Sequence, residues 1–166
     1  MKKMSNIHKT AEVSKYAYIG KNTLIWNWVQ IRERASIGHN CIISKGVYID
    51  SDVKIWNNVK IQNNVSIFYG VTIEDSVFIG PHVCFTNDKF PRSININGIL
   101  KNNNDWVVKK IRVCKGSSIG ANCTILPGVT IGEKCVIGAG TTISKNIKDK
   151  TIVTQSKKSL IMTHYE

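Results

Sequence analysis

The sequence predicts an all-β chain: a parallel β-helix wound from six-residue sides, interrupted once by a long extruded loop at about residues 86–110 and finished by a short C-terminal tail. Three observations carry that expectation. An aliphatic residue recurs at every sixth position from Ile7 and Val13 through Ile19, Ile25 and Ile31 to Ile79, with Phe85 in phase, and again from Val113 through Ile119 to Ile143. A smaller set sits two residues ahead of the anchors, including Ala17, Val29, Ala35, Cys41, Val47, Ser117, Cys123 and Cys135. Glycine often follows the anchor, at Gly20, Gly38, Gly80, Gly120, Gly132 and Gly138. A helix would smear a period of six around its axis, whereas residues two apart on a strand share a face. Small-x-aliphatic is therefore a short strand with both outer members facing inward. The other three residues turn a corner, where glycine tolerates tight backbone angles.

Taken in order, thirteen anchors precede Phe85 and six follow from Val113, nineteen hexads in all. Three sides per coil gives about six coils, stacked ~4.8 Å apart. The interval from Phe85 to Val113 is not a multiple of six. The coil must break there, and the stretch from Thr86 to Lys110 leaves the prism as a loop. Long loops in compact domains are commonly functional. From Ile147 the phase is lost, so 1–146 reads as the β-helix domain and 147–166 as a polar capping tail. Its Leu160-Ile161-Met162 is expected to cover the last coil, because an open β-helix end is an exposed edge.

A length of 166 residues suits one domain. With 42% hydrophobic and 20% charged residues the chain can bury a core, which excludes a disordered polymer. No apolar run reaches about 18 residues, so no membrane span is expected. Met1-Lys2-Lys3-Met4-Ser5-Asn6 is followed by no apolar segment of a secretory leader, and a cytoplasmic location is expected. The five cysteines form no C-x-x-C pair, which disfavours zinc or dithiol chemistry. Cys41, Cys123 and Cys135 occupy small inward positions and read as core. Lys and Arg number 23 against 11 Asp and Glu, a net +12 that favours anionic partners such as nucleotides and coenzymes.

The aliphatic-Gly-x-x-small-x pattern over about residues 7–147 resembles the hexapeptide-repeat acyltransferases, and that resemblance implies a left-handed winding. Narrower strings are Trp26-Asn27-Trp28-Val29-Gln30-Ile31-Arg32-Glu33, Ile61-Gln62-Asn63-Asn64-Val65-Ser66-Ile67, and Phe85-Thr86-Asn87-Asp88 followed by Pro91-Arg92-Ser93. With the run from Ser118 to Gly132, they resemble the N-acetyltransferases that acetylate the 3-amino group of nucleotide-linked amino sugars. Those enzymes serve bacterial surface-polysaccharide (lipopolysaccharide-type) synthesis on dTDP-3-amino-3,6-dideoxyhexoses or UDP-3-amino-glucuronates. The resemblance implies acetyl-CoA as co-substrate, no metal, and a homotrimer with sites in clefts between prisms, the extruded loop reaching the next subunit.

The same resemblance supplies candidate residues. Asn87 and Asp88 would meet the amino sugar. Residues one coil apart share a column, so Asn87 stands above Tyr69, Ser51 and Glu33. Tyr69 lies in Phe68-Tyr69-Gly70, where the family often has Tyr-Glu-Gly. Arg92 and Arg32, with Glu33, are candidates for substrate carboxylate or phosphate, since guanidinium offers paired donors. Gly120, Ala121, Gly138 and Ala139 would offer backbone N–H groups to the coenzyme, with Lys145 and Lys148 for its phosphates. His82 is the candidate base, set against relatives in which the leaving thiolate takes the proton; reach decides between them. His39 reads as a surface corner residue. Trp26, Trp28 and Trp56 point outward, toward a subunit interface or a nucleotide base.

Other classes fit less well. A γ-type carbonic anhydrase needs three zinc histidines, and the four here show no short ligand spacing. A structural β-helix would carry a Thr or Ser ladder on one outer face. A nucleic-acid module would interleave aromatics in a single-strand motif.

Overall fold

The computed structural model describes residues 6–102, 105, 107–155 and 160–164, with backbone alone for 155 and 160–164. Met1–Ser5 and, in the tail, Ser156, Lys157 and Lys158 lie outside the described residues. Among the described residues three sheets form the three sides of a prism: nine strands beginning at Asn6–Ile7, seven beginning at Glu12–Val13, and six beginning at Tyr18–Ile19. Within these sheets the strand pairings are parallel except the last. Registers such as Ile7↔Ile25, Ile31↔Ile49 and Ile19↔Ile37 advance one coil at a time. The architecture is the expected all-β parallel β-helix, consistent with the left-handed winding that the resemblance implies. Anchors from Ile25 to Ile143 are buried, with the small set beneath them.

Two details differ from the hexad count. Phe85 is itself a rung, paired to Ile67 below and Ile125 above. The ladder also passes residue 146. Ile147 is buried and bridges to Ile131, and Thr151–Gln155 pairs with Val136–Ile137 in the register Ile137↔Val153. This coil is two residues short of the regular length, as the bonds from Thr130 N–H to Asn146 Oδ1 and Glu133 N–H to Asp149 Oδ1 mark. Seven coils and the opening strand of an eighth result, and the lost phase is a short coil. The backbone of Leu160–His164 folds back antiparallel on Thr151–Gln155.

The corners also correct the reading of glycine. The left-handed backbone falls on the third residue after the anchor, at Asn22, Asn40, Asp52, Asn58, Asn64, His82 and Asn122, with Gly at other coils. Asn and Asp tolerate that region best. The glycines directly after the anchors answer to space: a Cβ on Gly120 would lie 2.5 Å from Ala139 N, and one on Gly80 2.7 Å from Ala121 N. Successive coils touch there.

Small inward hydroxyls and thiols satisfy corner carbonyls in the coil above. Thr23 Oγ1 donates to Gly38 O at 2.7 Å, Ser117 Oγ to Gly132 O at 2.6 Å, Cys41 Sγ to Trp56 O at 3.0 Å and Cys123 Sγ to Gly138 O at 3.1 Å. Burial pushes the thiols of Cys41, Cys123 and Cys135 up from their ordinary range, keeping them as S–H donors. Cys84 and Cys114 are half-buried and outside this set.

On the third face Ile73 stands one regular coil above Ile55, while the next rung, Val113, follows only after a much longer stretch of chain. The extra residues are looped out without breaking the ladder. Buried Glu74 closes the gap: Arg112 Nε donates to its Oε1 at 2.6 Å, Arg112 Nη2 also pairs with it, and Lys115 N–H donates to Oε2 at 3.0 Å. None of the described residues forms a helix long and apolar enough to cross a membrane.

Candidate functional site

The extrusion begins at the corner after the second sheet. Thr86 still belongs to the ladder, its N–H and Oγ1 both donating to Ile125 O at 3.0 Å. Asn87 and Asp88, both half-buried, come next, and Asp88 Oδ1 accepts the N–H of Phe90 at 2.8 Å. That Asx turn directs the chain outward. The loop is pinched by an antiparallel bridge between Ile94 and Leu100, and it returns with Ile111 N–H donating to Gly70 O at 3.1 Å. Gly70 has φ +92°, and a Cβ there would meet Val108 Cγ1 at 2.7 Å, so glycine admits the returning strand. Phe90, Ile96, Ile99, Leu100 and Val107 are exposed on the loop.

The register Ile31↔Ile49↔Ile67↔Phe85 carries Glu33, Ser51, Tyr69 and Asn87 up one corner, as the coil repeat anticipates. Its lower part is densely polar. Arg32 pairs with Glu33 through Nε at 3.0 Å and Nη2 at 3.3 Å, and Arg34 forks onto Asp52 at 2.9 and 2.8 Å. Asp50 accepts the N–H of Ser51 at 2.7 Å and of Tyr69 at 3.2 Å. Glu33's own backbone N–H, with Arg32, holds its carboxyl below the usual range, and Arg34 does the same for Asp52. Burial raises the Tyr48 hydroxyl, whose ring packs against Phe68 at 5.6 Å. Sequence reasoning missed Arg34, Asp52 and Asp50; opposite charges one coil apart were the available signal for the first pair.

The remaining candidates lie elsewhere. His82 is exposed, with φ +59°, on the corner after the first sheet. Asn87 stands at the opposite edge of the second sheet, and five residues of chain separate the two, at most ~17 Å. The Gly80-Pro81-His82 corner does stack beneath Gly120-Ala121-Asn122 and Gly138-Ala139-Gly140, through Asn122 N–H to Pro81 O at 2.9 Å and Gly140 N–H to Ala121 O at 2.7 Å. His82 thus shares an edge with the coenzyme candidates and not with Asn87. Among the described residues nothing stands within 4 Å of where a Cβ on Gly140 would lie, and adjacent Thr141 Oγ1, facing the prism interior, is buried without a hydrogen-bond partner.

Lys145 follows Ile143 of the second sheet, so it sits across that sheet from Gly138 and Ala139 despite its sequence proximity. Lys148 lies at the corner after the third sheet. Arg92 is exposed on the loop, its Nη1 3.4 Å from Pro91 O. His39 is engaged: its Nδ1 accepts Lys21 N–H at 2.8 Å. Trp26, Trp28 and Trp56 are 51, 61 and 43% exposed, on the corners after the first and third sheets. Among the described residues no group of three His, Cys, Asp or Glu is placed to hold a metal.

Comparison with known proteins gives a consistent fold. Residues 16–51 and 110–145 match the bacterial transferase hexapeptide (six repeats) family model. No curated protein matches the sequence. Among solved structures, PerB from Caulobacter crescentus, in complex with CoA and GDP-perosamine, is 17% identical at a TM-score of 0.56, covering 96% of this chain and 57% of its own. The acetyltransferase domain of PglB from Neisseria gonorrhoeae, with acetyl coenzyme A, is 18% identical at 0.56, covering 93% and 56%. A variant of AntD, an N-acyltransferase from Bacillus cereus, in complex with dTDP-4-amino-4,6-dideoxyglucose and coenzyme A, is 20% identical at 0.56, covering 98% and 84%. The chain therefore spans little more than half the length of the first two, and at these identities the likeness is one of fold.

Proposed function

We propose that this chain, whose coils carry bacterial transferase hexapeptide repeats, is an N-acetyltransferase that moves an acetyl group from acetyl-CoA to an amino group of a nucleotide-linked sugar. The finer reading is the 3-amino group of a dTDP or UDP sugar, used in bacterial surface-polysaccharide synthesis by a cytoplasmic homotrimer. The observation that carries it is the half-buried Asn87-Asp88 pair at the root of the extrusion, heading a polar corner of Tyr69, Glu33 and Arg32.

In this reading Asn87 and Asp88 orient the sugar, with Tyr69, Arg32, Glu33 and Arg92 around it. Asp88 is fixed for that role by the N–H of Phe90. Gly120, Ala121, Gly138 and Ala139 line the coenzyme edge, where the space beside Gly140 suits a ligand chain. Lys145 would serve the coenzyme only from the far side of the second sheet. The neutral amine attacks the thioester carbonyl, the C–N bond forms, the C–S bond breaks, and the amine proton ends on the departing thiolate. Rate comes from holding amine and thioester together, and from N–H donors at the developing oxyanion.

Because Asn87 and the coenzyme corner lie on opposite edges of one sheet, a complete site needs two prisms side by side. The exposed tryptophans and the apolar loop support burial against further copies, and the number three is what the resemblance implies. Light scattering should give a trimer; a stable monomer at micromolar concentration overturns the shared cleft.

The deciding assay follows free thiol released from acetyl-CoA against a panel of 3-amino and 4-amino nucleotide sugars. Release with none of them rejects the reading. His82→Asn should slow turnover less than tenfold. An imidazole base would cost ~10²–10⁴ on removal, whereas a proton that ends on the departing thiolate leaves His82 only a positioning role. A thousandfold fall, with trimer and coenzyme binding intact, would make His82 the base.

A further inference from the structure

A half-open cleft of about 320 Å³ lies where the corner after the second sheet meets the third, directly under the returning end of the loop. Lys54 and Thr72 reach it from adjacent coils, in the register Thr72↔Lys54. Lys110 enters from the last turn of the insertion, fixed by the neighbouring bond from Ile111 N–H to Gly70 O. The exposed Tyr69 forms another wall.

The charges around the cleft do not cancel. Asp52, its one acid, is taken by both arms of Arg34, and Arg112 on the same face is taken by Glu74. Lys54 and Lys110 enter no salt bridge among the described residues. Two lysines, a threonine and a tyrosine therefore line a space near the lower end of ligand-pocket volumes, ~300 Å³. Ammonium pairs with phosphate oxygens as a point charge, through short charge-assisted bonds.

We propose that this cleft binds the diphosphate of a nucleotide, Lys54 and Lys110 holding the phosphate oxygens and Tyr69 facing the base or ribose. The assignment deepens the transferase reading, on which the identity of the nucleotide rests, while the charge geometry stands without it. A sugar nucleotide and coenzyme A both carry a diphosphate, so the probes are UDP, dTDP and coenzyme A, each titrated calorimetrically into the full chain at fixed ionic strength.

Lys54→Ala/Lys110→Ala should weaken UDP or dTDP at least tenfold, while Lys21→Ala/Lys60→Ala, which removes the same charge from other faces, should not. Weakening of coenzyme A alone assigns the cleft to the coenzyme's diphosphate. Equal affinity of both double variants for all three probes overturns the proposal, as does a wild-type chain that binds none of them. Thermal melts check folding, and Lys54→Gln/Lys110→Gln replaces the alanine pair if that pair does not fold. If the cleft variant binds like wild type while wild type still releases thiol, the cleft fails and the transferase reading survives. Binding through these lysines without thiol release on any amino sugar keeps the cleft and rejects the transferase.

Discussion

Asn87→Ala lowers acetyl transfer more than tenfold while the melting temperature stays within a degree or two of wild type. The two halves of that expectation come from one placement. Asn87 follows Thr86, the last residue before the extrusion to bond across to the next coil, so its side chain supports no ladder bond and fills no rung. It is nonetheless half-buried, at the head of the Tyr69 and Glu33 column where the sugar is proposed to lie. Loss of an orienting amide misplaces the amine relative to the thioester, and misplacement of about 1 Å can cost ~10²-fold. Steady-state kinetics beside a thermal melt reads both quantities. Near wild-type turnover in a folded variant removes the Asn-Asp pair from the site.

Phe85→Ala has the largest expected effect on stability. Phe85 is fully buried and belongs to the rung between Ile67 and Ile125, so truncation leaves a cavity at the point where the chain exits the prism. Such deletions cost ~3–5 kcal/mol because the surroundings relax only partly. In a chain of this size that lowers the melting temperature on the order of 10 °C. Phe85→Leu should recover most of it, since apolar swaps of near volume are tolerated. A shift below about 2 °C for the alanine variant would mean that the prism collapses onto the vacancy.

Much of this is readable in the residues. The period of six locates the three sheets, the inward pair of each strand and the start of the loop, because strand alternation ties every second side chain to one face. The inward cysteines and outward tryptophans follow from the same phase. What escapes reading depends on the insertion and on the short coil. An unbroken coil would set Arg92 against Glu74, yet the partner is Arg112, since the looped-out residues stand between. Lys110 joins Lys54 for the same reason. Ile147 reads as tail because it follows Ile143 too closely for the hexad phase, and no local signal announces a shortened coil. The column of Tyr69 and Asn87 is legible because it lies below the break. His82 and Asn87, neighbours in sequence, face different corners because one side of the prism lies between them.

The pairing of Phe85 with Ile125 and of Ile73 with Val113 makes the loop a branch and not a link. Sheet continuity and chain continuity part company here: strain along the prism axis passes from coil to coil through hydrogen bonds and bypasses the looped-out residues. Doubling such a segment raises closure entropy by only ~0.6 kcal/mol. The scaffold is therefore nearly indifferent to the length of its own insertion. Residues on the branch are free to drift in evolution while the prism that presents them stays the same.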